Sequence, residues 1–129
     1  MCARHARGAR CRRRVGPGWV VQARVERFVE PSLLLLLRER PMHGYELIER
    51  LPDLMGSERV DVGNLYRSLR ALEEDGIVTS VWSAGLPGPA KRTYELTPAG
   101  DRLLDHWVEA LRDTRARMSG FLQRYEERR

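Results

Sequence analysis

A chain of 129 residues with a formal net charge of +5 can close one small hydrophobic core and leaves no room for a second domain of ordinary size. The charge is uneven: residues 1–24 carry seven arginines and no acid, which leaves 16 basic against 18 acidic side chains in the remainder, a net of −2. Bulk basicity therefore belongs to the first stretch, and only local clustering of cations can argue for an anionic partner.

Residues 1–20 combine arginine, small residues and the breaker Gly16-Pro17-Gly18 with little to bury, so a disordered basic tail is expected there. Such an arm can hold a nucleic-acid backbone without sequence preference, or be an extension of no consequence. Cys2 and Cys11 lie in it without an accompanying Cys or His cluster and read as incidental thiols. No apolar segment follows these arginines as a secretory leader requires, and the longest apolar run, Leu33 to Leu37, is far too short to span a bilayer. A cytoplasmic protein with no membrane partner is expected.

From Gln22 to Val29 the placement of Val21, Val25, Phe28 and Val29 suits a short amphipathic helix. Pro31 then opens a helix whose five leucines leave almost no polar face, a pattern for a central position, and Arg40-Pro41 closes it. Past His43-Gly44, the residues Tyr45, Leu47, Ile48 and Leu51 supply a stripe for another short helix ending at Pro52. A linker with Gly56 and Ser57 leads to Asp61.

Between Asp61 and Gly76, Leu65, Leu69 and Leu72 recur on one side of a helix, with Asp61 as N-cap and Gly76 as the left-handed terminator. The other side carries Gly63, Asn64, Tyr66, Arg67 and Arg70, which can donate hydrogen bonds, stack and neutralise phosphate. Acids at Glu73 to Asp75 oppose the helix dipole. Ile77 to Trp82 and Arg92 to Leu96 then read as two strands, joined by a loop rich in glycine and proline, with Lys91 and Arg92 at its base.

Thr97-Pro98 starts a last helix of about 28 residues. Within it Leu104, Trp107, Leu111, Thr114, Met118, Phe121 and Tyr125 alternate at spacings of three and four, an a/d seam interrupted at Thr114. Its length exceeds what one small core covers, so the exposed part should meet a second copy of the chain. The expected architecture is mainly α with a β-hairpin wing: a basic tail (1–20), a winged helix-turn-helix (21–97) and a long C-terminal dimerisation helix (98–129).

Three segments, LLLLLRERPMHGYELIERL (Leu33 to Leu51), NLYRSLRALEEDGIV (Asn64 to Val78) and GPAKRTYELTPAG (Gly88 to Gly100), together resemble the PadR-like transcriptional regulators. The resemblance implies a dimeric winged-helix repressor with the Asn64 to Arg70 face on DNA, the hairpin as wing and the last helix as dimer arm. It further implies that Tyr66 contacts backbone phosphate, that Tyr45 supports its helix against DNA, and that His43 packs rather than catalyses. The wording GNLYRSL and GPAKR is also similar to the polyhydroxyalkanoate-responsive repressors, whereas the arginine-rich first 20 residues have no counterpart in the family pattern.

These features set the functional expectations. Arg67 and Arg70 are candidates for phosphate or guanine, Asn64 for an adenine edge or phosphate, and Lys91 with Arg92 for the backbone beside the groove. A twofold dimer would read a pseudo-palindromic double-stranded operator with half-sites about 34–36 Å apart. An apolar or aromatic effector could enter the seam at Trp107, Met118 and Phe121. No metal or other cofactor is expected and an enzyme is not: His5, His43 and His106 are scattered, and there is no HExxH or glycine-rich phosphate loop. The alternative is a winged-helix protein-interaction module without specific DNA binding, which the net −2 body would suit.

Overall fold

The computed structural model describes residues 28–56, 60–83, 88 and 90–128, together with the backbone of 12–15 and 18–21. Among these, the elements run β1 (Arg12–Val15), β2 (Gly18–Val21), α1 (Val29–Glu39), β3 (Met42–His43), α2 (Gly44–Met55), α3 (Val62–Glu74), β4 (Val78–Ser83), β5 (Lys91–Leu96) and α4 (Pro98–Glu127). The strands β1 and β2 pair antiparallel, with Arg12 opposite Val21 and Val15 opposite Gly18, inside the stretch expected to be disordered. Val15, Trp19, Val20 and Val21 are residue types that suit a strand, a signal the arginine content hides. Most of the helix expected from Gln22 to Val29, and both cysteines, lie outside the described residues.

Helix α1 begins at Val29, two residues ahead of the predicted start, so Pro31 falls within the first turn, where its missing N–H has no partner to lose. Leu33, Leu34, Leu36 and Leu37 are buried, and Arg40 before Pro41 is extended. Each of those leucines contributes roughly 1.5–3 kcal/mol by leaving water. The next helix corrects its predicted end. Pro52 lies inside α2, which continues to Met55 and stops at Gly56 in the left-handed conformation, φ 70°. Leu54 and Met55 pack against the core, which holds the extra turn in place.

Helices α1, α2 and α3 close over Leu47, Leu51, Leu65, Leu69 and Leu72. The sheet order is β3-β5-β4, all antiparallel, with Met42 opposite Tyr94 and Ser80 opposite Tyr94 on the other side. Alternation along β4 and β5 puts Val78, Ser80, Trp82, Arg92, Tyr94 and Leu96 on the core side. Helix α4 extends 30 residues, about 45 Å at 1.5 Å per residue. Its first half covers the core through Gly100, Leu103, Leu104, Trp107 and Val108, and Arg38 of α1 pairs with Asp101 and Asp105. Beyond Thr114 every described residue is exposed.

Candidate nucleic-acid interface

Helix α3 is anchored by Leu65, Leu69 and Leu72, at 1%, 0% and 4% exposure, which turns Asn64, Arg67 and Arg70 outward. The Asp61 side chain caps the helix by accepting from the Asn64 backbone N–H at 3.2 Å, and the Asn64 side-chain carboxamide has no hydrogen bond among the described residues. The Arg67 guanidinium lies back over the first turn, with Nη1 3.5 Å from where a Cβ on Gly63 would stand. Tyr66 is 45% exposed, and its ring rests on Gly44 at the start of α2: a Cβ there would lie 2.7 Å from the Tyr66 hydroxyl. Gly44 is therefore the seat that lets α3 approach α2, a role that the sequence signals only by placing glycine between His43 and Tyr45. Tyr45 itself is 69% exposed, off the apolar stripe assigned to it, and Leu47, Leu51 and Ile48 bury the helix instead.

The wing separates two residues that the sequence places together. Lys91 and Arg92 fall on opposite faces of β5. Lys91 is exposed and makes no ion pair among the described residues, while its carbonyl accepts from the Ser83 hydroxyl at 3.0 Å. Arg92 turns inward: Nε donates to Ser80 Oγ at 2.8 Å and Nη2 to Glu73 Oε1 at 2.7 Å. Its guanidinium lies 5.7 Å from the Trp82 ring centroid and 5.5 Å from that of Tyr94. The guanidinium expected to meet backbone phosphate is thus held, within the protein, by the Glu73 carboxylate of α3. Burial pushes the Tyr94 phenol up from its ordinary value, against the opposing pull of Arg92.

Other arginines of the winged helix are likewise engaged. Arg40 donates to Glu46, and the pair holds that carboxyl below the usual carboxylate range, with Arg50 adding to it from 3.7 Å. Among the described residues 28–97, the cations left without an acidic partner are Arg67, Arg70 and Lys91. All three stand on α3 or at the loop end of the wing. No group of His, Cys, Asp and Glu able to hold a metal ion occurs among the described residues. No described helix is long and apolar enough to cross a membrane.

The seam on α4 divides. Leu104 is 3% exposed and belongs to the core of its own protomer, which removes it from the dimer or effector contacts expected of it. Trp107 is half-buried, with its indole N–H bound to Glu30 Oε2 at 2.6 Å, and Leu111 is also half-buried. Met118, Phe121 and Tyr125 are 40%, 72% and 60% exposed, joined by Leu122 at 57%, which the strict a/d pattern omits.

The profile of the transcriptional regulator PadR-like family matches residues 33–106, from the leucine run of α1 through the first turns of α4. The chain belongs to the PadR-like family of transcriptional regulators. A PadR family transcriptional regulator from Eggerthella lenta is 31% identical, over 73% of this chain and 80% of that one, with a TM-score of 0.60. A PadR family regulator from Clostridium difficile shares the fold at 23% identity, covering 74% of this chain and 98% of that one with a TM-score of 0.66. So does Bacillus subtilis PadR, solved in complex with operator DNA, at 24% identity over 64% of this chain and 47% of that one, TM-score 0.58. No curated protein matches. Membership makes the chain a winged-helix transcriptional regulator and not an enzyme, and none of these matches singles out the polyhydroxyalkanoate-responsive subgroup.

Proposed function

We propose that this PadR-like regulator is a cytoplasmic homodimer that binds a pseudo-palindromic operator in double-stranded DNA and acts as a repressor released by an apolar or aromatic small molecule. Helix α3 enters the major groove, Arg67 and Arg70 reach phosphate or guanine, Asn64 takes an adenine edge or a phosphate, and Lys91 holds the backbone beside the groove. Tyr66 donates to a phosphate from its seat on Gly44, and Tyr45 lies alongside. The observation that carries the proposal is that the unpaired cations of the described winged helix, Arg67, Arg70 and Lys91, all lie on α3 and the wing while its other described arginines are neutralised. The relative from Bacillus subtilis, crystallised with operator DNA, supports it.

The dimer arm is the outer half of α4, where Met118, Phe121, Leu122 and Tyr125 form an apolar stripe with no partner among the described residues. The effector would act where two such arms meet, beside Trp107. The test is duplex selection from a random pool by the purified chain, followed by binding across a salt series. Arg67→Ala with Arg70→Ala should weaken binding and flatten the plot of log K against log salt by about 0.9 for each phosphate no longer neutralised. Unchanged affinity in a folded double variant would refute the assignment, and salt-labile retention blind to sequence would favour the interaction-module alternative.

A further inference from the structure

We infer that Arg92 is a positioning residue that fixes the wing against the recognition helix, and that it makes no contact of its own with the DNA backbone. This rests on α3 and the wing being the DNA-reading surface. Arg92 stands near the loop end of the hairpin, directly across from Trp82. Its two donors, to Ser80 Oγ and Glu73 Oε1, are completed by a third bond in which the Ser80 hydroxyl donates to Glu73 Oε2 at 2.7 Å. The three groups close a ring that joins β4, β5 and the last turn of α3. A guanidinium has the planar fork to serve both acceptors while its faces lie near Trp82 and Tyr94, and a lysine does not.

The ring also accounts for an anomaly of the sequence. A carboxylate in the last turn of a helix opposes the dipole, so Glu73 is unfavourable on α3 taken alone. Opposite Arg92 it becomes the clamp that ties the end of α3 to the wing. Because the Arg92 charge is already neutralised by Glu73, it has little to offer a phosphate and little counterion to displace. What it supplies is the direction in which Lys91 projects.

A sign distinguishes this from ordinary electrostatics. If Arg92 were a phosphate contact restrained by Glu73, removing Glu73 would free a cation, delete a negative charge near DNA and strengthen binding. If the ring positions the wing, Glu73→Ala weakens it. The experiment uses the full chain and a duplex selected by the wild type from a random pool, with affinity read by fluorescence anisotropy over a salt series and hydrogen exchange of the β4 and β5 amides read without DNA. Arg92→Ala and Glu73→Ala are each expected to weaken binding about tenfold, the scale of a charge-assisted hydrogen bond, with the salt slope unchanged. Both should quicken exchange in the hairpin. Lys91→Ala, by contrast, should flatten the slope by about 0.9 for its phosphate. The charge swap Glu73→Arg with Arg92→Glu should recover affinity relative to either single change, which general destabilisation would not produce. Stronger binding by Glu73→Ala, a flattened slope in Arg92→Ala, or unaltered exchange would each overturn the inference. A wild-type chain that selects no sequence would instead sink the DNA-binding proposal on which it rests, while the exchange data would still report whether Arg92 holds the hairpin.

Discussion

Two glycines on one helix should respond to the same substitution with opposite signs. Alanine is favoured over glycine in a helix interior by about 0.8–1.0 kcal/mol, so propensity alone makes both Gly100→Ala and Gly120→Ala stabilising. At Gly120 nothing among the described residues lies within 4 Å of the added Cβ, and helical spacing turns it away from the centre of the stripe formed by Met118, Phe121 and Tyr125. The propensity gain should therefore appear nearly in full. At Gly100 the Cβ would stand 2.4 Å from the Ile77 carbonyl oxygen and 2.4 Å from Leu96 Cδ1, about 1 Å inside ordinary contact. The Ile77 carbonyl cannot easily retreat, since it accepts from the Thr97 backbone N–H at 3.1 Å and the Thr97 hydroxyl at 2.9 Å. Overpacking of this kind costs about 1–3 kcal/mol, and disturbing one of those bonds about 1 kcal/mol more. The net for Gly100→Ala is a loss of about 1–3 kcal/mol after the propensity gain, or a fall in Tm on the order of 5–15 °C for a domain of this size. Thermal unfolding followed by circular dichroism decides it, at one fixed protomer concentration because association would shift Tm. A Gly100→Ala chain as stable as Gly120→Ala would refute the packing argument.

Phe121→Asp puts a charge on the exposed stripe of α4 without touching the core, so it should turn a sedimenting dimer into a monomer with its far-UV spectrum retained; a variant still dimeric would show that the stripe is not the arm. Burial raises the Tyr94 phenol above its ordinary 10.0, so the stability it contributes is complete below about pH 10 and is lost as pH climbs through the folded value. Tyr94→Phe should therefore make urea midpoints less sensitive to pH above 10 than the wild type's, and equal sensitivity would contradict that burial. Removing the acceptor of the Trp107 indole with Glu30→Ala should cost about 1 kcal/mol in urea unfolding and shift Trp107 emission to the red, the partial exposure of the pair holding the figure down.

What could be read from the letters was whatever repeats locally. The three leucines of α3, its Asp61 cap, its Gly76 terminator at φ 75° and the Thr97 cap of α4 all announce themselves within one or two turns, and the structure has them. Strand β3 escapes because a two-residue strand has no period to detect; only its pairing with Tyr94 and Thr93 defines it. Pro52 misleads because a proline costs a helix one donor, and the packing of Leu54 and Met55 outweighs that loss. The contacts of the candidate-site residues were harder to read. Arg92 and Lys91 are neighbours in sequence with the same charge, and nothing local says that Glu73 faces one and not the other. Leu104 and Tyr125 occupy equivalent places in the seam, three heptads apart, yet one lies over the core of its own protomer and the other beyond the end of it.

The end of α3 and the start of α4 meet at Thr97. Its backbone N–H and hydroxyl bond the Ile77 carbonyl, the hydroxyl lies 2.7 Å from the Gly76 carbonyl, and the same oxygen accepts from the Gly100 N–H to cap α4. Gly76 and Ile77 are the residues that leave α3. The end of the recognition helix and the start of the arm therefore share one joint, and the Glu73 ring ties the wing to it one turn earlier. With so few free torsions between them, α3, the wing and α4 should move as one body. In the proposed dimer a rotation of about 10° over a lever of about 30 Å, the length of twenty helical residues, displaces the far end by about 5 Å. That exceeds the roughly 3.4 Å spacing between base pairs, so a small change in how two arms cross suffices to misplace both recognition helices. A ligand at the arms can produce it only by binding the two crossings with different affinity, and the rigidity of the joint converts that difference into one at the DNA.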